Sequence, residues 1–330
     1  MVGLAVSVAL LAWVLNRIQP REVWAHAQHA NGWLLLLTVT VATITFPVRT
    51  IRWRLILRDL DGHRLPWIPL WHATTIGFMA NNLLPARAGE FARAYVASRQ
   101  LPVRFSTALA SIGVERVFDG LVMLGLMAVA IAAPSFPAHA LVGGRSLPAI
   151  VISAAVLFGI LLTLALVVVH RPRPWLTFFE RMARRLVPAR FAERVIHGAE
   201  GIVAGLVVLK NPARFAGVVL WSLVLWLKNA AAFAICFRAF GLDIPVEAAF
   251  LLQGIVGFGV AVPSTPGYIG VFEAATLVTL QLYGVDSSLA VSYALTYHVT
   301  TFIPITLLGF WSLSRLHLRL RELSAAREAT

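Results

Sequence analysis

Cysteine is nearly missing from this 330-residue chain: Cys236 stands alone, which excludes an intrachain disulfide framework and a thiolate metal cluster. The nine histidines show no His-Glu-x-x-His spacing, so a transition-metal site has no support. No Walker loop or dinucleotide fingerprint occurs; ATP hydrolysis and hydride transfer are set aside, and no cofactor is expected. Charge is scarce too. Only 13% of residues are charged against 59% hydrophobic, a balance far from that of a soluble globular domain. Lysine is limited to Lys210 and Lys228, so the net charge of +13 rests on 26 arginines. They sit between apolar blocks rather than on a water-facing fold, which points to anionic lipid and away from nucleic acid. Guanidinium groups suit bidentate phosphate contact, and a GC-rich genome produces the same bias; both readings stand open.

What is present is a series of long apolar runs. At roughly 20 residues per span, the chain has room for about six to eight membrane-embedded segments and little soluble domain. Ala149 to Val169 and Leu289 to Ser314 are uncharged and long enough to cross as helices. Gly32 to Val48, Phe105 to Ala133 and Phe215 to Phe237 are further spans, the last two carrying Glu115, Arg116, Asp119 and Lys228. Val2 to Leu15 lacks a basic flank of the signal-peptide kind and reads as a first membrane helix. The expected fold is an all-α polytopic helical bundle in one transmembrane domain, residues 1–330, with halves 1–145 and 146–330. Segment 170–212 is expected to be an Arg-rich amphipathic helix pair on the inner leaflet.

Two stretches break the helical pattern. Trp67 to Leu84 runs into Asn81-Asn82-Leu83-Leu84-Pro85-Ala86-Arg87-Ala88-Gly89-Glu90, and Val246 to Tyr283 is split by Pro263-Ser264-Thr265-Pro266-Gly267. Interrupted backbone at membrane depth survives only where protein or a wet cavity satisfies its polar groups, so both are expected to be re-entrant or broken hairpins near a site. Arg49 to Arg64, His170 to Arg214 and the tail from Arg315 hold eighteen Lys/Arg, against four, Arg17, Arg21, Arg145 and Arg238, in the expected outer loops. The positive-inside rule then puts both termini in the cytoplasm and makes the two halves inverted copies.

An ionisable group inside a bilayer costs about 2.5–3.5 kcal/mol on insertion scales, so each needs a partner or a cavity. Glu115 and Asp119 are i, i+4 on one helix face and require a cation between them, for which Arg87 and Arg93 are candidates. A purely structural ion-pair network is the competing reading. Arg87, with Asn82 and Gly89, lies where a new helix would begin, and its free N–H groups favour a phosphate. Glu90, Arg93, Glu115, Arg116 and Asp119 would make a polar path; Pro266, Gly267, Gly270 and Glu273 would form a second gate. Simple re-entrant turns explain the same prolines and glycines. Lys228 is expected to snorkel or to pair with a carboxylate rather than to act in catalysis, and His298 to be a hydrogen-bonded core histidine rather than a proton relay.

Three ordered motifs carry a resemblance: Asn82 to Glu90 followed by Arg93-Ala94-Tyr95, then Glu115-Arg116-Val117-Phe118-Asp119, then Pro263 to Ala274. In these the chain resembles the lysylphosphatidylglycerol synthase transmembrane family, also described as flippase-like, over nearly its whole length. The resemblance implies a flippase or transporter of a polar lipid, phospholipid or polyprenyl/hopanoid-type, in the bacterial inner membrane. Only a short basic tail follows Ser314, so it does not imply aminoacyl transfer. An intramembrane transferase acting on a lipid-linked phosphate or sugar, and a non-transporting partner of a lipid-modifying enzyme, remain as alternatives.

Overall fold

The computed structural model describes residues 2–59, 62–84, 88–137, 141–142, 145–186, 188–206, 210–260, 265–318 and 320. The protein is an all-α membrane helical protein. Its helices are α1 (Val2–Leu15), α2 (Pro20–His29), α3 (Gly32–Thr43), α4 (Thr45–Ile56), α5 (Trp67–Leu83), α6 (Ala88–Gln100) and α7 (Phe105–Ala132). After a two-residue antiparallel ladder, Leu141–Val142 with Arg145–Ser146, follow α8 (Leu147–His170), α9 (Pro172–Leu186), α10 (Ala189–Gly205), α11 (Pro212–Ala239), α12 (Glu247–Gly259), α13 (Val271–Leu282) and α14 (Ser287–Arg315). Among the described residues, four segments are long and apolar enough to cross a membrane: Gly32–Ile56, Val151–Val168, Pro212–Ala239 and Ser287–Arg315. Helix α7 is as long as α11 but carries Glu115, Arg116 and Asp119.

Short polar side chains start three of the helices. Asn31 Oδ1 accepts from the N–H of Trp33 and Leu34 before α3, Asn211 Oδ1 from Arg214 before α11, and Asp286 Oδ1 from Ser288 and Leu289 before α14. Within Gly32–Ile56 the helix is interrupted at Ile44, three residues before Pro47. Proline has no N–H and its ring clashes with the carbonyl four residues back, which is Thr43. Lys228 reaches across from α11 and donates to the carbonyls of Val41 and Ala42, at 3.1 and 3.2 Å. Lys228 thus satisfies backbone next to the kink rather than a carboxylate.

This continuation past Pro47 corrects the sequence-based boundary at Val48. Arg49 and Arg52, expected in a basic loop, lie in α4, and both are buried. Of the remaining arginines of that stretch, Arg54 lies in the last turn of α4, and Arg58 and Arg64 follow it, paired in an isolated antiparallel bridge.

Two cores organise the bundle. One gathers Trp53, Ile76, Met79, Ile112 and Phe118 from α4, α5 and α7. The other gathers Phe233, Phe237, Leu252, Leu277, Tyr293 and Tyr297 from α11 to α14, with Val14 of α1, and includes a Phe233–Tyr297 stack at 4.6 Å. Helix α14 joins them. Its first half enters the second core, while Ser312 Oγ accepts from Thr75 Oγ1 of α5 at 2.7 Å. Helix α8 is apolar all round and largely exposed, with Ile152, Val156, Leu157 and Ile160 on its surface, the pattern of a lipid-facing helix.

Close helix approach depends on small residues. A Cβ on Gly89 would collide with the Gly77 carbonyl across the α5–α6 hairpin, and one on Gly309 of α14 would collide with Met79 Cβ of α5. Gly89→Ala and Gly309→Ala are each expected to destabilise by about 1–3 kcal/mol, the range for overpacked sites. Gly159→Ala, which meets open space, serves as the neutral control in thermal unfolding in detergent.

Candidate functional site

Three helices bring charged side chains to one place, and a fourth, α11, adds uncharged partners. Arg49 and Arg52 are i, i+3 on α4, Arg93 lies on α6, and Glu115, Arg116 and Asp119 lie on α7. Glu115, fully buried, accepts from Arg93 Nη1 at 2.5 Å and lies 3.6 Å from Arg52 Nε. Asp119 accepts from Arg52 Nη1 at 2.5 Å and from the Trp226 indole N–H of α11 at 2.8 Å. It also faces Arg49 at 3.6 Å and Arg116 at 3.5 Å. Arg52 therefore bridges both carboxylates and donates further to Ser222 Oγ at 3.0 Å. Arg116 extends to Glu90 of α6 at 3.6 Å.

Aromatic rings complete the shell. The Arg93 guanidinium lies 3.8 Å above the Trp53 ring, whose indole N–H donates to Ser111 at 2.8 Å. Arg49 sits between Phe78, at 4.9 Å, and Trp226, at 5.6 Å. Four guanidinium groups against Glu90, Glu115 and Asp119 leave an excess positive charge.

That excess borders a chamber of about 390 Å³. Arg49, Asn81, Glu90, Arg93, Arg116 and Asp119 supply its polar wall, and Phe258, Val260 and Tyr268 close it from the α12–α13 side. The volume falls within the usual range for small-molecule sites, roughly 300–1,000 Å³. Arg49 is only 4% exposed, yet its Nε and Nη1 donate no hydrogen bond. Nε of Arg52, of Arg93 and of Arg116 are likewise buried without a hydrogen-bond acceptor.

The two interruptions meet beside the chamber. Helix α5 ends at Leu83 and α6 begins at Ala88; Gly89 N–H donates to Asn81 Oδ1 at 2.9 Å. Pro85, Ala86 and Arg87 lie outside the described residues, as do Pro263 and Ser264. On the other side a 3-10 turn, Pro266–Tyr268, precedes α13. Gly267 has φ +67°, and a Cβ there would stand 3.0 Å from Phe302 and 3.4 Å from the Asn82 carbonyl, so the two breaks touch at this residue. Tyr268 also has positive φ, 62°, an uncommon conformation for a side-chain-bearing residue and one found at sites where surrounding structure enforces it.

The sequence-derived candidates thus divide. Glu90, Arg93, Glu115, Arg116 and Asp119 form one network, with Gly89 on the chamber wall. Asn82 turns away, donating to Thr306 of α14 at 3.0 Å, and its neighbour Asn81 lines the chamber instead. Glu273 is buried at the start of α13, where one oxygen accepts the Gly270 N–H at 2.7 Å and the other pairs with His298 Nδ1 at 2.6 Å. Arg49, Arg52, Ser222, Trp226 and Tyr268 were missed. The i, i+3 spacing of Arg49 and Arg52 beside Trp53 was the available signal, obscured by Pro47.

A model of the lysylphosphatidylglycerol synthase TM region matches residues 1–309. The chain belongs to this family. Among family relatives it is 30% identical over 301 residues to "Glycosyltransferase AglD" of Haloferax volcanii, an alignment covering 84% of this chain and 47% of that protein. The chain thus spans about half the length of that relative. It is 25% identical to a UPF0104 membrane protein of Methanothermobacter thermautotrophicus, over 92% of this chain and 90% of the relative. A second UPF0104 membrane protein of that organism is 22% identical, with 93% and 92% coverage. No solved structure matches the family member described here.

Removing one partner of a buried ion pair strands the other, at a cost of about 3–5 kcal/mol. Asp119→Ala is expected to fall in this range, lowering the thermal midpoint in detergent. Arg238→Gln, which breaks a solvent-exposed pair with Asp243, is expected to leave the midpoint unchanged.

Proposed function

We propose that this protein binds the anionic headgroup of a lipid in the arginine-lined chamber and moves it across the membrane, with the acyl chains left in the bilayer. The observation that carries this reading is Arg49: a guanidinium almost withdrawn from solvent, bordering a cavity, with two nitrogens that donate no hydrogen bond. Buried donors without acceptors are costly and rare, and a phosphate oxygen in the chamber satisfies them with charge-assisted bonds. Arg93 and Arg116 border the same space.

In this reading the two broken hairpins are re-entrant, enter from opposite leaflets and belong to inverted halves, with both termini cytoplasmic in a bacterial inner membrane. Broken helices around a midplane site are the usual construction of such transporters. A polar path spares the headgroup the desolvation of crossing hydrocarbon. Arg87 lies in the first break and is proposed to meet the phosphate; Pro266, Gly267, Gly270 and Glu273 belong to the opposite gate. The lipid is a phospholipid or a polyprenyl or hopanoid-type lipid.

A second reading, transfer chemistry on a lipid-linked phosphate or sugar, draws on the relative named a glycosyltransferase. Glu115 and Asp119 are engaged by arginines, leaving Glu90, whose side chain is 27% exposed, as the chamber carboxylate nearest to a free base. Product formation by purified protein in detergent, where no leaflets exist, would favour that chemistry.

The transport reading is tested in proteoliposomes containing headgroup-labelled phosphatidylglycerol. Loss of one charge-assisted hydrogen bond is worth roughly 1.5–3 kcal/mol, so Arg49→Gln and Arg116→Gln are each expected to slow translocation about tenfold or more. Both variants should remain monodisperse. Wild-type rates in both would defeat the site assignment.

A further inference from the structure

Outside the chamber, the least explained feature is α9. Trp175, Phe178, Phe179, Met182 and Leu186 recur at i, i+3, i+4, i+7 and i+11 and share one face. That face is not covered: Phe178, Phe179, Met182 and Leu186 are 40–68% exposed. Ala183, at 3% exposure, marks the side turned toward the protein. Five arginines, Arg171, Arg173, Arg181, Arg184 and Arg185, accompany a single acid, Glu180, between residues 171 and 186. Arg173, Arg181 and Arg184 lie opposite the apolar face at 100° per residue, and Arg185 lies at its border.

Position identifies the occupant. Helix α8 has 24 residues, about 36 Å at 1.5 Å per residue, which exhausts a hydrocarbon core of about 30 Å. Helix α9 begins directly after it, with Pro172 at its start, so its aromatic face meets the bilayer at headgroup depth. The pair is also fixed to the rest of the molecule. Arg184 bridges Glu180 and Glu193, holding α9 to α10, and Arg104 pairs with Glu200 across α10 and α7. A Cβ on Gly201 would collide with Ser106, so α10 lies directly on the start of α7. From Ser106 to Glu115 is about 14 Å along that helix.

We infer that α9 is an in-plane platform that binds the surface of an anionic phospholipid leaflet, its aromatic face inserted and Arg173, Arg181 and Arg185 paired with headgroup phosphates, within one helix length of the charged network. This inference does not require that the protein translocate lipid. Basic groups beside an anionic bilayer are attracted through the surface potential, and the effect weakens with salt.

The test uses the full chain on a Cys236→Ala background, with a spin label at Met182→Cys or Thr177→Cys, in vesicles of phosphatidylcholine alone or with phosphatidylglycerol. With phosphatidylglycerol, the ratio of oxygen to nickel-chelate accessibility is expected to be severalfold higher at 182 than at 177. Arg173→Gln, Arg181→Gln and Arg185→Gln together should abolish the difference, and the corresponding lysine variants should restore it. Equal nickel access at both positions overturns the inference. So does lipid contact indifferent to phosphatidylglycerol, and so does exclusion of both relaxants at 182, which would mean that protein covers the face.

Discussion

Arg52 holds this structure together at its most expensive point. It is fully buried in α4 and lies between two carboxylates one helical turn apart on α7, Glu115 and Asp119, which would repel one another without it. Taking these groups out of water is tolerable only because every one of them meets an opposite charge, an indole N–H or a hydroxyl. The network fixes α4, α6, α7 and α11 with respect to each other, and its bonds are directional where apolar packing is not. Arg93 adds a second constraint by standing on the Trp53 ring while gripping Glu115.

The same network leaves a surplus. Arg52 donates through both Nη atoms to Asp119 and Ser222 and only its Nε lacks an acceptor, whereas Arg49 has neither Nε nor Nη1 accepted by any protein group and lines a chamber bounded by both helix breaks. Within one cluster the innermost guanidinium is held by protein partners, and Arg49, Arg93 and Arg116 border a cavity. Small residues make the geometry attainable. Gly77 and Gly89 let α5 and α6 close on one another, and Gly267 lets the second break lie against the Asn82 carbonyl.

Much of this is legible in the order of residues. The long apolar runs mark spans because a bilayer demands about 20 residues of helix with every backbone group paired. Asn31, Asn211 and Asp286 mark helix starts through their side-chain acceptors. Glu115, Arg116 and Asp119 stand out because charge inside an apolar run requires compensation. Pro47 misleads, since proline usually ends a helix; here the chain resumes after one kinked residue, helped by Lys228 from a helix 180 residues later. Arg49 and Arg52 therefore read as loop cations.

Composition and local pattern determined that this chain is helical, membrane-embedded and interrupted twice, because those properties depend on hydrophobic length and on residues adjacent in sequence. Which cation answers which carboxylate was decided by packing. Arg52 and Asp119 are separated by 67 positions, and Trp226 comes from 107 positions further on. Beyond their i, i+3 spacing beside Trp53, which Pro47 obscures, no local rule selects Arg49 and Arg52 over the many other arginines. Only the approach of α4 to α7 and α11 excludes water from those two, and the exclusion of water is what converts a common surface cation into a structural pin or an anion-binding group.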